Sequence, residues 1–305
     1  MSTPSNVPSD SFAPQPAPAA TSPTHPLYWS LQREFWEHRS IYLAPLAAAA
    51  LFLFGFMISL IHLPSRIRAA GIDPMQHDFI VQSENLAALL IMGTTLIVAV
   101  FYCLDALHSE RRDRSILFWK SLPVSDLTTV LSKASIPIVI LPFITFGVTI
   151  ALWILMVLLS NAVLLASGMS AASAPHFSFF QLSTGLFYHL MVVHGLFYAP
   201  FYGWLLLVSA WARRATFLWA TLPLFAIGIV EKIAFNTSYF ASMLGYRLGG
   251  GAEDNGSKAT GMAVAFMPHF TSGQFIFNPS LWTGLAMTAI FLAAAIRLRR
   301  NREPI

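Results

Sequence analysis

Charged residues are scarce in this chain of 305 residues: 10% are Asp, Glu, Lys or Arg, whereas 56% are hydrophobic. A soluble domain usually carries about 25% charged residues, so this composition excludes an ordinary soluble domain and indicates an integral membrane protein. Cysteine is almost absent as well. The single Cys103 excludes an intrachain disulfide and a zinc site built from cysteines, and its place in an apolar run is typical of a small buried side chain.

The common signatures of nucleotide and metal binding are also missing. The glycine-rich stretch 249–258 lacks the Gly-Lys-Ser/Thr order of a phosphate loop, because Ser257 separates Gly256 from Lys258. His189 and His194 are five residues apart, a spacing that does not place two side chains on one face of an α-helix. We therefore expect no cofactor, no metal, no catalytic residue and no nucleic-acid partner in this chain.

The N-terminal segment differs from the rest of the chain. Residues 1–26 contain seven prolines, many Ser, Ala and Thr residues, and neither Lys nor Arg. A segment of this kind buries too little surface to offset its chain entropy. The sequence predicts a disordered cytosolic tail over 1–26, followed by one membrane domain over 27–305.

The membrane domain starts with an amphipathic pattern over Leu27–Ser40. Apolar side chains share one helical face and polar side chains lie away from it; the apolar set is Leu27, Tyr28, Leu31 and Phe35, and the polar set is Ser30, Arg33, Glu34 and Glu37. This pattern favours a helix that lies along the inner membrane surface. The alternative is a cytosolic extension of the first span.

Six stretches are long enough to cross a hydrocarbon core, which needs about 20 apolar residues in a helix. They are Ile41–Leu63, Leu86–Leu107, Ile136–Ser160, Leu186–Trp211, Thr216–Phe235 and Leu281–Leu298. The third contains Pro137 and Pro142 and the fourth contains Pro200, so we expect kinks there that neighbouring spans support. The predicted fold class is an all-α integral membrane protein with six transmembrane helices.

The positions of Lys and Arg predict the orientation of these spans. With both termini in the cytosol, thirteen of the eighteen basic residues lie in cytosolic segments, four lie outside and Lys232 lies at a span end. Because basic residues stay on the cytoplasmic side, this distribution predicts a multi-pass membrane protein with both termini cytoplasmic.

One run between the second and third spans combines charge with aromatic side chains. It reads Glu110-Arg-Arg-Asp-Arg-Ser-Ile-Leu-Phe-Trp-Lys-Ser-Leu-Pro-Val-Ser-Asp126. We expect a short helix from Glu110 to Leu122 that Pro123 ends. Ser125 can then cap a second helix that starts at Asp126, whose charge suits a helix N-terminus.

This run, with Leu131-Ser-Lys133 after it, resembles the charged loop in the permease subunit of bacterial type-2 ABC transporters. In that family, a loop of this pattern follows the second of six spans. The resemblance covers the chain from about Leu27 to Arg302 and is sharpest in the loop. It implies that Leu27–Ser40 is the connecting helix before the first span and that the loop is a cytosolic coupling helix.

The resemblance also implies a location in the bacterial cell (inner) membrane, together with partners and a site. Two permease subunits, identical or different, pair in the lipid bilayer, and each docks on a separate ABC ATPase (nucleotide-binding) subunit, which binds ATP and Mg. The implied ATPase-coupling residues are Glu110, Arg111, Arg112, Asp113, Arg114, Phe118, Trp119 and Lys120. Arginines are suited to acidic partners and the aromatic residues to an apolar pocket. The alternative is that the charges only fix the orientation and the aromatics only lie at the membrane interface.

Two other functions stay open at this point. A membrane enzyme acting on lipid or peptide would use ionisable groups within the spans, and the candidates are Asp105, His189 and His194. The sequence shows no tight set of acid, base and nucleophile for such an enzyme. A membrane assembly component without transport is the third possibility, and the sequence does not identify a cargo.

The orientation can be tested by labelling. Single cysteines at Ser173 and Ser257, in a chain with Cys103 replaced, should react with a membrane-impermeant thiol reagent in intact cells, because both positions lie in predicted outer segments. A cysteine at Ser5 should react only after lysis. Labelling of the Ser5 position in intact cells would contradict the predicted orientation.

Overall fold

A computed structural model describes residues 26–65, 75–113, 115, 125–168, 179–249 and 278–301. Within those ranges all regular secondary structure is helical. The predicted tail over 1–25 lies outside the described residues, and so do most of the run after Asp113 and the segment 250–277.

Helices make up almost all of the described chain. In chain order they are α1 (Pro26–Glu37), α2 (Ser40–Ile61), α3 (Met75–Ala106), α4 (His108–Arg112), α5 (Asp126–Ser135), a first π-helical segment (Ile136–Ile140), α6 (Leu141–Ala166), α7 (Phe179–Tyr188), a second π-helical segment (His189–Phe197), α8 (Ala199–Trp211), α9 (Thr216–Phe235), α10 (Tyr239–Leu248) and α11 (Pro279–Asn301).

Five helical segments of the described chain are long and apolar enough to cross a membrane. They are Ser40–Ile61, Ser83–Arg112, Asp126–Ala166, Thr216–Phe235 and Pro279–Asn301. The pair Leu182–Phe197 and Ala199–Trp211, bent by 42°, gives a sixth if it counts as one span. These are the features of a multi-pass membrane protein, and many large apolar side chains accordingly lie on the outside of the bundle, as they do against lipid.

The bundle has two main packed regions. One joins α2, α3, the second π-helical segment and α8 around Tyr102, Phe197 and Tyr202, and the other joins α2, α3 and α6 around Trp153. Helices α8 and α11 approach each other closely at Gly203, where an added Cβ would lie 3.4 Å from the Cβ of Phe291. Small residues allow this kind of close approach between membrane helices.

Proline explains the bend in the fourth span. The break falls at Tyr198, immediately before Ala199 and Pro200 at the start of α8, so the kink expected at Pro200 is confirmed.

In the third span, Pro142 has no N–H for the carbonyl of Ile138 four residues earlier. The first π-helical segment contains Ile138, and an added Cβ at Gly195 would lie 2.7 Å from the Ile138 carbonyl oxygen. Glycine therefore lets the two π-helical segments meet.

The cap predicted for α5 is also confirmed. Ser125 has extended backbone angles, its hydroxyl oxygen accepts a hydrogen bond from the Thr128 N–H at 3.0 Å, and the helix begins at Asp126. This is the geometry of an N-cap. It fixes where the chain leaves the charged run and enters the third span.

Helix α10 folds back against the bundle. The Glu231 carboxylate accepts hydrogen bonds from the N–H groups of Tyr239 and Phe240 at 2.6 and 2.9 Å, so a side chain of α9 caps the start of α10. At the other end, the Arg247 guanidinium donates to the carbonyl oxygens of Phe197 and Ser280. The end of α10 is thereby joined to the break in the fourth span and to the start of α11.

Candidate functional site

Charged side chains from four helices meet inside one end of the bundle. We call this end, where α1, α4, α5 and the last turn of α11 lie, the basic end. The ion cluster is defined by Glu34, Glu110, Lys133 and Arg299, all buried, with Arg33 and Asp126 at its edge. Three of these six groups are formally positive and three are negative, so the cluster is formally neutral.

Lys133 lies at the centre of the ion cluster. Its Nζ is 2.7 Å from Oε1 of Glu34 and 3.2 Å from Oε1 of Glu110, and only 1% of the lysine is exposed. An ammonium group without partners would be very costly at this depth. Lys133 therefore requires both carboxylates, and it ties α5 to α1 and α4.

Arg299 holds the two ends of the charged run together. Its Nη1 donates to Oε2 of Glu110, and its Nε donates to Oδ1 of Asp126 at 2.9 Å. Asp126 lies in the first turn of α5 and Arg299 in the last turn of α11. In each case the charge also interacts favourably with the dipole of its own helix. One guanidinium therefore binds both the first and the last residue of the charged run.

Glu34 connects α1 to the bundle through neutral groups as well. The Tyr102 hydroxyl of α3 donates to Oε2 of Glu34 at 2.8 Å, and the His38 ring lies edge-on to Tyr102 with centroids 5.0 Å apart. Leu31 and Phe35 pack against the apolar core. Helix α1 is therefore anchored by a buried carboxylate between apolar contacts.

The position of Glu34 corrects the amphipathic interpretation of this helix. Glu34 was expected on the polar face, away from the apolar residues, yet it is 2% exposed. The ion pair with Lys133 offsets the cost of burying the carboxylate. Leu27 and Tyr28 of the expected apolar face are exposed, at 47% and 59%, as apolar side chains at a membrane surface are.

Helix α4 is fixed to the end of α8 by hydrogen bonds. Ser209 accepts through its hydroxyl oxygen from the N–H groups of Leu107 and His108, at 3.0 and 2.9 Å. Arg111 donates to the carbonyl oxygen of Ala210 at 2.8 Å, and a cation at the C-terminal end of a helix is favourable. The start of the charged run is thus part of the packed bundle.

The residues expected to contact an ATPase fall into three groups. Glu110 and Arg111 are buried, at 3% and 4% exposure, so their side chains act within the protein. Arg112 and Asp113 are exposed and pair with each other at 3.0 Å. The others lie outside the described residues; they are Arg114, Phe118, Trp119 and Lys120.

The three ionisable candidates within the spans lie in two places. Asp105 is partly buried near the basic end of α3, and its carbonyl oxygen accepts from the Ser109 hydroxyl at 2.9 Å. His189 and His194 are buried in the second π-helical segment, with ring centroids 5.6 Å apart. The expectation that the histidines would not share a face is wrong, because π-helical bonding joins residues five apart.

One group of possible metal ligands occurs in the described part of the chain. Side-chain oxygens of Glu34 and Glu37 and a ring nitrogen of His38 lie within 4.8 Å of one another. The Glu34 carboxylate already binds Lys133 and Tyr102, and Glu37 accepts from Arg33 at 2.7 Å. These partners account for the carboxylates without an ion.

The ion cluster was largely missed by sequence reasoning. Glu110 was singled out and Lys133 was quoted with the charged run, but Glu34 was assigned to a solvated face and Arg299 only to the orientation count. The scarcity of charged residues was the one feature of the sequence that could have indicated the ion cluster. In a chain with 10% charged residues, a carboxylate among the apolar residues of α1 and a lysine near the start of an apolar span suggest a buried pair.

Removal of the central lysine should destabilise the protein. Lys133→Met keeps most of the side-chain volume but leaves Glu34 and Glu110 short of a cation, and we expect the free energy of unfolding to fall by about 3–5 kcal/mol. The measurement is denaturant unfolding in detergent micelles. Arg112→Met removes an exposed cation from the same region and should leave stability unchanged. Equal stability of Lys133→Met and wild type would contradict the assigned contacts.

Comparison with protein-family models, with curated proteins and with solved structures finds no match to this chain.

Proposed function

We propose that this chain is the membrane-spanning subunit of an ATP-driven ABC exporter and that it forms the translocation pathway as a dimer, homomeric or heteromeric, in a bacterial cell membrane. A separate ATPase subunit hydrolyses ATP and contacts the charged run between the second and third spans. The support is the pattern of that run, the helices long enough to cross a membrane, and the contacts at both ends of the run.

The observation that carries the proposal is that Arg299 binds the residues at both ends of the run. Glu110 and Asp126 are sixteen positions apart in sequence, and the same guanidinium binds both. A displacement applied to the run is therefore applied to α11 directly. Through Glu110 and Lys133 it also reaches Glu34 in α1.

Such a connection suits mechanical coupling. Packed helices joined by buried ion pairs move as a body, because separating the charges in an apolar interior is costly. Closure of an ATPase pair against the run would then shift α1, α5 and α11 together, and α5 continues into the third span through Ile136–Ile140. Glu110 and Arg111 hold the run in place, while the exposed Arg112 and Asp113 are available to a partner.

Co-purification with the ATPase tests this function. We expect a tagged wild-type chain to retain an ATPase subunit and to stimulate its ATP hydrolysis. Trp119→Ala should weaken the complex by about 2 kcal/mol, roughly thirtyfold in affinity, because it removes an apolar anchor. Arg112→Glu should weaken it through charge reversal at an exposed position.

Arg213→Glu is the matched control, because Arg213 is an exposed arginine at the same end of the bundle but outside the run. It should retain the ATPase. If wild type retains no ATPase, the exporter function is wrong. If Trp119→Ala and Arg112→Glu both retain it with full stimulation, the run only orients the chain in the membrane.

A further inference from the structure

Helix α9 stands away from the bundle over much of its length. Ala220 is its one buried residue. The contacts that hold α9 to α8 involve its first half: the Trp204 Nε1–H donates to the Ala220 carbonyl oxygen at 3.0 Å, and the Trp211 and Trp219 rings lie 4.8 Å apart. Beyond this point α9 diverges from the bundle, and the end of the folded-back α10 returns to it.

Two neighbouring cavities lie beside α9. One of about 210 Å³ lies between α3, α8 and α9, and one of about 540 Å³ lies between α9 and α10. They share four lining residues, Thr221, Leu224, Leu244 and Leu248, so they are neighbours along α9, and we call the two together the α9–α10 groove. From Phe217 to Lys232 it follows α9 for about 22 Å, at 1.5 Å per residue.

The groove is polar at one end only. Its walls consist almost wholly of apolar side chains, while Lys232 and Ser238 line the end remote from the basic end. The neighbouring Glu231 carboxylate is engaged in capping α10. No carboxylate of the described residues lies within ion-pair distance of the Lys232 ammonium, so an anion can bind there.

An amphiphile matches this arrangement better than a protein segment does. Protein interiors are closely packed, and an apolar groove next to a bilayer admits hydrocarbon chains without cost in hydrogen bonds. An amphiphile supplies both an apolar chain for the walls and an anionic group for Lys232, whereas the apolar spans of a second copy supply chiefly the first. An acyl chain is narrow enough and long enough.

We propose that the α9–α10 groove binds a phospholipid, with one acyl chain along α9 and the phosphate at Lys232 and Ser238. The site depends on the chain's spanning a membrane and is independent of the ATPase partner. The proposal can therefore fail while the exporter function stands, and the reverse also holds.

Glycines in the groove allow it to be filled without disturbing the fold. A Cβ added at Gly228 or Gly245 meets no atom within 4 Å, and both glycines line the larger cavity. Leucine at these helical positions also has the better helix propensity. Gly55→Leu is the matched control, because Gly55 lies in α2, is exposed and is equally free of contacts.

The experiment is native mass spectrometry of the delipidated chain after addition of palmitoyl-oleoyl phosphatidylglycerol. Wild type and Gly55→Leu should each retain one lipid molecule per chain, and the double variant Gly228→Leu, Gly245→Leu should lose it. Lys232→Gln should weaken lipid binding about fivefold, as expected for one basic residue beside an anionic lipid.

Three results would overturn the proposal. The first is equal lipid retention by wild type and the double variant, and the second is equal loss in Gly55→Leu, which would indicate lipid held over the whole surface. The third is efficient disulfide formation between two copies that carry Gly228→Cys with Cys103 replaced, because it would place a second copy in the groove.

Discussion

Charge burial is the constraint on which the basic end of this protein depends. Lys133 and Arg299 can be buried only because Glu34 and Glu110 are buried with them, and each carboxylate is contacted by groups from other helices. Removal of a member leaves the opposite charges short of a partner in a poorly hydrated interior, which costs more than the net stabilisation of an intact pair. The ion cluster therefore specifies how α1, α4, α5 and α11 are arranged more than it contributes to total stability.

The opposite end of the bundle is governed by backbone hydrogen bonding. The fourth span breaks at Tyr198, and the carbonyl oxygen of Phe197 accepts a hydrogen bond from Arg247. Unsatisfied carbonyl groups are costly at membrane depth, so the arginine of α10 and the break require each other. Gly284 makes room for this contact, because an added Cβ there would clash with the Arg247 guanidinium. One end is thus held together by ion pairs, and the other joins a folded-back helix to a bent span.

Features encoded locally were predictable from sequence. The apolar stretches, the Ser125 cap and the bend at Pro200 each depend on residues within a few positions of one another, and the structure confirms all three. Features encoded over long distances were not. Arg299 and Glu110 are 189 positions apart, and no pattern in a single sequence joins them.

The remaining errors came from assuming regular geometry and solvated charges. The spacing of His189 and His194 was interpreted with α-helical periodicity, whereas this segment is π-helical and brings their rings within 5.6 Å. Glu34 was assigned to solvent because helical periodicity sorts side chains by polarity and does not detect a buried partner such as Lys133. The partner, rather than the residue type, decides where such a carboxylate lies.

The ion cluster fastens α1 to the bundle, and amide hydrogen exchange can measure this attachment. In Lys133→Met, exchange at the amides of α1 that follow Pro26 should become faster, since the buried carboxylate of Glu34 loses its cation. Exchange in α9, which has no contact with the cluster among the described residues, should stay as in wild type. Unchanged protection of α1 in this variant would show that the ion pair with Lys133 does not hold α1 in place.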